Sequence, residues 1–423
     1  LLFSFRNPIH EEELRNLIEA LPSKPFVSIS SQVLPEFREY ERTSTVTVNS
    51  YVGPVMSQYM EKLESKLGSK GLRIMQSSGG SISARQASQQ PVRTILSGPA
   101  GGVVGAFWEA AQAGYPDVIT LDMGGTSTDV SLCPGRIQET TTATTGGYPI
   151  SVPMIDIHTV GAGGGSIARV DAGGALQVGP QSAGADPGPA CYGKGNNVTV
   201  TDANLLLGRL AAPHFLGGRM ALDTTRAQEA MGVLASSLKS DLSSTALGVI
   251  RVVNSSMERA IRTVSLERGF DPRDFTMVAF GGAGPMHACE LAQELRIPRV
   301  LIPLHPGILS ALGVAIADVV KDYARTVMLP GHTLTHEMLD QLFHPLETHA
   351  REEITKEGFT LERLTLQRIL DVRYVGQSYE IPIPCPTEPT QLIQEAMAKN
   401  FHTAHNQRFG YSDTTQNVEV VNV

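Results

Sequence analysis

The sequence predicts an α/β fold, and three observations carry that prediction. Between residues 276 and 320, TMVAF, GGAGP, MHACELAQELR, RVLIP and SALGVAIADVV follow one another as strand, loop, helix, strand and helix, the alternation that builds a helix-covered sheet. Val118 to Met123 is an apolar strand that turns through GGTST and returns as DVSLC, which sets a motif at a hairpin tip. Ala246, Ile250, Val253, Met257, Ile261 and Val264 recur at steps of three and four, the stripe of a long amphipathic helix closed by Gly269.

The other elements follow in chain order. HEEELRNLIEA (10–20) has helical spacing, FVSISSQV alternates like a strand, and the β-branched run Thr43 to Val48 reads as a second strand. Val55, Met56, Tyr59, Leu63 and Leu67 share a helical face, with Pro54 near the start and Gly68 past the end. SGPAGG (97–102) reads as a loop leading into a buried helix, VVGAFWEAAQAG. Residues 146–200 are rich in Gly and Pro, with short strands in VPMIDIHTV and ARVDA. After Tyr323 glycine thins out, and a charged helical stretch (HEMLDQLFHPLETHAREEITKEG) precedes strands near LQRILDVRYVGQSYEIPIP. A domain boundary is expected near residue 325.

A chain of 423 residues is too long for one ordinary core and suggests two or three domains. With 41% hydrophobic and 18% charged residues, disorder is excluded as its main character. No apolar run approaches the ~18 residues of a membrane span, and LLFSFRNPIH is too short for a signal-peptide core. The net charge of −8 argues against a general nucleic-acid binder, which needs excess Lys and Arg. Cys133, Cys191, Cys289 and Cys385 form no CxxC pair, so neither a zinc knuckle nor a disulfide framework is readable, and the expected location is a reducing cytoplasm. The first residue is Leu rather than Met, so a fragment or a processed start is expected.

The sharpest chemical element runs from Leu121 to Val130. Gly124 and Gly125 at the tip let backbone N–H groups converge on an anion, and Thr126, Ser127 and Thr128 add hydroxyl donors. Asp122 and Asp129 are spaced to hold a hydrated Mg²⁺. That combination suits a nucleotide polyphosphate. In the second loop, Gly281, Gly282, Ala283 and Gly284 precede Pro285 at a helix start, where the glycines serve either the close approach of an adenosine or α-phosphate to the backbone or tight strand-to-helix packing. GAGGGS (161–166) is not a dinucleotide fingerprint, because Ser166 takes the last glycine position and no helix clearly follows. GPACYGKG (188–195) misses a P-loop, since Gly195 replaces the Ser/Thr, and Lys194 is left facing either an anion or solvent. Asp156 and His158 share a face of a probable strand, as metal ligands, a general base pair or a hydrogen-bonded core pair. His287 reads as a packing histidine.

The stretches EYERTSTVTVNSYVGPV, ILSGPAGGVVGA, LDMGGTSTDVSL, PMIDIHTVGAGGGSIARVDAGGALQVGP, SAGADPGPACYG, TDANLLLGRL, AFGGAGPMHA and HPGILSALGVAIADVVKDYART resemble the A subunit of the hydantoinase and 5-oxoprolinase family. The resemblance spans about residues 27 to 326. It implies an actin-like (ribonuclease H-like) ATPase core over 1–325, related to the actin, heat-shock chaperone and sugar-kinase ATPases, and the start of a smaller α+β C-terminal domain over 326–423. It implies ATP and Mg²⁺ as cofactors, with Asp122 and Asp129 catalytic. The implied activity is ATP-dependent opening of a cyclic amide such as hydantoin or 5-oxoproline, together with a B subunit. An acetone- or acetophenone-type ketone carboxylase, a non-catalytic actin-like ATP switch and a purely structural homologue are the alternatives. The family's earlier DxGGTxTD hairpin does not occur before Asp122, and VEVVNV ends short of the family's C-terminal domain. This chain alone is therefore expected to bind nucleotide poorly and to be inactive.

Overall fold

The computed structural model describes all residues except 69–70, 142 and 387–391. By contacts the chain forms two units: one comprises Leu96–Glu139 and Ile155–Ala317, the other Leu1–Ile95, Thr140–Met154 and Asp318–Val423. A single cut at 325 differs from this division, because residues 1–95 are tied to the C-terminal segment. The Ser81 N–H donates to the Asp318 carbonyl at 2.8 Å, and Gln76 Nε2 donates to that of Val320 at 2.9 Å.

The first of these units is built on a five-stranded sheet in the order Arg299–Leu301, Thr276–Phe280, Asp117–Met123, Thr128–Pro134, His158–Val160. The first three strands are parallel, and the last two join antiparallel. TMVAF is buried at every position, as expected of a parallel strand covered on both faces. Helix Leu242–Val264 brings Val249, Ile250, Val253 and Met257 into one apolar cluster with Ile119, Leu121 and Met123. Asp241 caps it by accepting the Ser244 N–H at 2.9 Å.

The expected loop at 97–102 is instead the opening of helix Ser97–Gln112. Its glycines serve packing: a Cβ on Gly101 or Gly105 would stand 2.9 or 2.7 Å from the carbonyl oxygens of Ser310 and Leu309. The helices Ser97–Gln112 and Leu309–Ile316 thus meet backbone to backbone.

In the other unit, the strand expected from FVSISSQV is replaced by a short helix, Ser30–Val33. Residues 43–48 lie inside a 29-residue helix, Glu39–Leu67, which runs through Pro54 rather than starting beside it. Its buried face is made of Arg42, Thr45, Asn49, Gly53 and Met60. That spacing is helical but largely polar, so an apolar period could not show it. Asn49 Nδ2 donates to Ser28 Oγ (2.9 Å) and the Gln89 carbonyl (3.0 Å), while Asn49 Oδ1 accepts the Val92 N–H (3.1 Å). Thr45 Oγ1 accepts the Ser151 N–H at 3.0 Å. The C-terminal part is a four-stranded antiparallel sheet in the order Thr326–Pro330, Val418–Asn422, Ile369–Tyr374, Ile381–Pro384. Its core includes residues of helices His336–Lys356 and Ile393–Phe409. Among the described residues no helix is long and apolar enough to cross a membrane.

Candidate active site

The Asp117–Met123 and Thr128–Pro134 strands pair with Asp122 opposite Asp129 and Met123 opposite Thr128, leaving Gly124 to Ser127 as the tip. The Gly124 N–H closes the turn on the Ser127 carbonyl at 3.0 Å. A glycine shelf supports the tip: the Gly164 and Gly165 N–H groups donate to the carbonyls of Gly124 (2.9 Å) and Gly125 (2.6 Å). A Cβ on Gly163 would lie 2.6 Å from the Thr126 backbone nitrogen, so only glycine admits this approach. The shelf is braced in turn by Thr201, whose N–H and hydroxyl both donate to the Gly164 carbonyl at 2.7 and 2.8 Å. Buried Asp202 fixes that brace, accepting from the N–H groups of Ala190 (3.2 Å), Cys191 (2.8 Å) and Thr199 (2.8 Å). With the tip carbonyls occupied from behind, the N–H groups of Gly125, Thr126 and Ser127 have no acceptor among the described residues. Gly125 and Thr126 are exposed. The result is a row of free donors of the kind that binds anions.

The second loop lies beside this tip. Phe280 pairs in parallel with Asp122, and the Ala283 N–H donates to the Met123 carbonyl at 2.9 Å. Gly281 has φ +80°, and a Cβ there would be 2.3 Å from Asp122 Oδ1 and 2.6 Å from the Met123 carbonyl oxygen. Gly282 faces open space, whereas a Cβ on Gly284 would meet the Phe280 carbonyl oxygen at 2.2 Å. Residues 281–284 therefore run against the carboxylate end of the hairpin, and Pro285 opens the helix Pro285–Leu295 as its position predicts.

Burial, and then the charge of Asp129, push the Asp122 carboxyl up to about 6, while hydrogen bonding from the Ser310 hydroxyl works the other way. Asp129 is also raised by burial, opposed by Thr159, whose Oγ1 donates to Asp129 Oδ1 at 2.5 Å. Two partly buried carboxylates thus face each other with hydroxyls, and no basic side chain, acting to keep them charged. That donor set fits Mg²⁺, which is typically held by one or two carboxylates together with waters and substrate phosphates. A metal site made of protein alone does not fit, since no group of three His, Cys, Asp or Glu able to hold a metal occurs among the described residues.

The family model described as hydantoinase/oxoprolinase matches residues 42–323. The chain belongs to this family. It is 39% identical over 434 residues to caprolactamase subunit alpha of Pseudomonas jessenii, an alignment covering 100% of this chain and 62% of the relative. It is 35% identical over 409 residues to 5-oxoprolinase 1 of Arabidopsis thaliana, covering 90% of this chain and 32% of the relative. The crystal structure of the ATP-dependent caprolactamase from Pseudomonas jessenii matches the fold with a TM-score of 0.87 at 38% identity, over 100% of this chain and 62% of that one. Nucleotide-free acetone carboxylase matches with a TM-score of 0.75 at 27% identity, over 99% and 62% of the two chains. The chain spans less than two thirds of the length of these relatives.

Within this hydantoinase/oxoprolinase chain, other residues singled out from the sequence lie in different surroundings. Asp156 falls in the break between strands Met154–Ile155 and His158–Val160, and both terminal nitrogens of the Arg268 guanidinium donate to its carboxylate. The cation beside Asp156 is therefore a side chain, and Asp156 with His158 does not form a metal site among the described residues. His158 pairs with Val130 at the sheet edge. Lys194 is exposed and 3.5 Å from the exposed Asp186, which makes the near P-loop a solvated turn.

His287 is a packing histidine that anchors the second loop. Fully buried, it sits 2.7 Å from Asn254 Oδ1 through Nδ1 and 3.1 Å from Asn204 Nδ2 through Nε2. This arrangement suits a neutral ring with the proton on Nδ1. Burial, and then the nearby Arg209, push its pKa from 6.5 down to about 4. Because the unfolded chain binds this proton first, the stabilisation is complete above 6.5 and is lost as pH falls from there through about 4. Wild type is expected to lose up to about 3 kcal/mol relative to His287→Gln between pH 7 and 4, read from urea unfolding at each pH. Parallel pH curves for the two proteins would rule this out.

Sequence reasoning did not find Thr159, Ser310, Thr201 or the shelf role of Gly163 to Gly165. Single hydroxyls carry no spacing signal. The shelf was visible only as a glycine run compared with the wrong motif.

Proposed function

We propose that the complete protein containing this chain uses ATP to open a cyclic amide. The phosphates would lie on the N–H row of Gly125, Thr126 and Ser127, with the nucleoside side along Gly281 to Gly284. The observation that carries this reading is the convergence of the Asp122/Asp129 hairpin and the 281–284 loop at one sheet end. In support, one relative with the same fold is an ATP-dependent caprolactamase and another is a 5-oxoprolinase. On this reading the unit built on the five-stranded sheet, Leu96–Glu139 with Ile155–Ala317, belongs to an actin-like ATPase core.

An amide carbonyl is a poor electrophile because its nitrogen donates into it. Transfer of the γ-phosphoryl group to the amide oxygen releases ADP and makes that oxygen part of a leaving group. Water then adds to the carbon, the ring C–N bond breaks as the nitrogen takes up a proton, and the acyl phosphate that remains is cleaved by a second water to carboxylate and phosphate. This chain's residues would position the polyphosphate, which is most of what phosphoryl transfer requires. Asp122 and Asp129 would hold Mg²⁺ through water, and the ion would neutralise charge on the β- and γ-phosphate oxygens. The caprolactamase relative is named as a subunit, and we propose a B-type partner subunit and a cytoplasmic setting here as well.

The acetone carboxylase match favours a second reading, activation of an enolisable ketone for carboxylation. Substrate-stimulated ADP release by the complete protein with its partner subunit separates the two. Stimulation by a lactam, hydantoin or 5-oxoproline is the expected result. Stimulation only by ketone with bicarbonate would establish the second reading, and ADP release indifferent to all of them would overturn both.

A further inference from the structure

We propose that Thr159 is the positioning residue of Asp129, its hydroxyl holding one carboxylate oxygen so that the other is presented to the hydrated cation of Mg-ATP. This rests on the ATP reading above. Asp122, Asp129 and Thr159 occupy directly paired positions on three adjacent antiparallel strands, so their side chains stand on one face of the sheet. Asp129 is therefore flanked by a like charge on one side and a hydroxyl on the other. Thr159 Oγ1 donates to Asp129 Oδ1 at 2.5 Å, and Oδ2 accepts from no group among the described residues.

The edge strand that carries Thr159 is itself fixed. Val160 pairs with Thr128, the Ala162 N–H donates to the Val160 carbonyl at 2.7 Å, and the Thr128 hydroxyl donates to the Ala162 carbonyl. The fixed strand sets the Cα–Cβ direction of residue 159, which brings its hydroxyl beside Asp129 Oδ1. The side chain is exposed, so core packing does not account for its place. Repulsion from Asp122 favours turning the Asp129 carboxylate away, and the Thr159 hydroxyl is the one donor opposing that rotation among the described residues. A second partner of this kind commonly changes metal affinity or activity about tenfold to hundredfold.

Thr159→Val keeps the shape and deletes the donor, and Thr159→Ser keeps the donor. Crystal structures of the complete protein are expected to show the Asp129 carboxylate turned or disordered in the Val variant and unchanged in the Ser variant. The Mg²⁺ concentration for half-maximal ADP release should rise about tenfold to hundredfold in the Val variant and stay near wild type in the Ser variant. An unmoved Asp129 in Thr159→Val, or a Ser variant as defective as Val, would overturn the proposal. So would an unchanged Mg²⁺ requirement in Thr159→Val while Asp129→Asn abolishes turnover. Wild-type turnover by Asp129→Asn would instead sink the ATP reading, and the crystal structures alone would then decide the Thr159 contact.

Discussion

Asp122→Asn and Asp129→Asn are each expected to remove ATP turnover by the complete protein, by about a hundredfold or more, the scale seen when one preorganised electrostatic contact is deleted. Asn keeps the shape and hydrogen-bonding reach of the side chain but not the charge that would hold Mg²⁺. The structure adds a second signature. The Asp122 carboxyl is raised from 3.8 to about 6 by burial and by Asp129, so its ionisation opposes folding. Its protonated form favours the fold below 3.8, and that advantage disappears as pH rises through 6. Above pH 6 without ligand, Asp122→Asn should therefore be more stable than wild type, by at most about 3 kcal/mol. Phosphate release and a urea melt on the same preparation test both parts. Wild-type turnover in both variants would exclude this hairpin as the ATP site, and an inactive but destabilised Asp122→Asn would show that the loss is one of folding.

In the complete protein, Gly281→Val should be the most damaging single change in the second loop. Its φ of +80° is a conformation that β-branched residues resist, and the new Cβ would lie 2.3 Å from Asp122 Oδ1 and 2.6 Å from the Met123 carbonyl oxygen. Turning the Asp122 side chain relieves only the first clash, because the second is with backbone. Left-handed strain of ~1–2 kcal/mol and the displaced loop together predict a loss of about 3 kcal/mol or more, along with nucleotide binding. Gly282→Val, one residue on, meets nothing within 4 Å and has no positive φ. It should leave Tm nearly unchanged and still weaken ADP binding, if the open flank is where the nucleotide lies. Equal melting losses in the two variants, or full ADP affinity in Gly282→Val, would contradict this assignment.

The sequence made the two loops legible because their chemistry is local. A carboxylate, two glycines, hydroxyls and a second carboxylate lie within eight positions, and the strands flanking them are apolar enough to read directly. It also showed the long helix by its clean apolar stripe, although the helix Leu242–Val264 ends at Ser265 and Gly269 closes the short turn Leu266–Arg268 that follows. What it hid has a common physical cause. Thr45 and Asn49 are buried through hydrogen bonds to residues 28, 89, 92 and 151, so the period of the Glu39–Leu67 helix is carried by polar atoms, and its β-branched surface mimicked a strand. Gly101 looked like a loop residue because the backbone contact it permits belongs to another helix far along the chain. The positive φ required in the second loop proved to be at Gly281, although a glycine pair alone cannot say which member bears it.

The polar seam of the Glu39–Leu67 helix also bears on how this protein can change over time. An apolar face can slip or tilt against its neighbours and still exclude water, since dispersion and burial have little directionality. The amide of Asn49 has no such freedom: its donors and acceptor each answer one fixed partner. Adding or deleting one residue between Arg42 and Asn49 would turn one end of the helix by about 100° relative to the other, leaving the Val92 N–H without its acceptor. The helix therefore tolerates substitution on its outer face but not a change of length, and its residue count is as constrained as its composition.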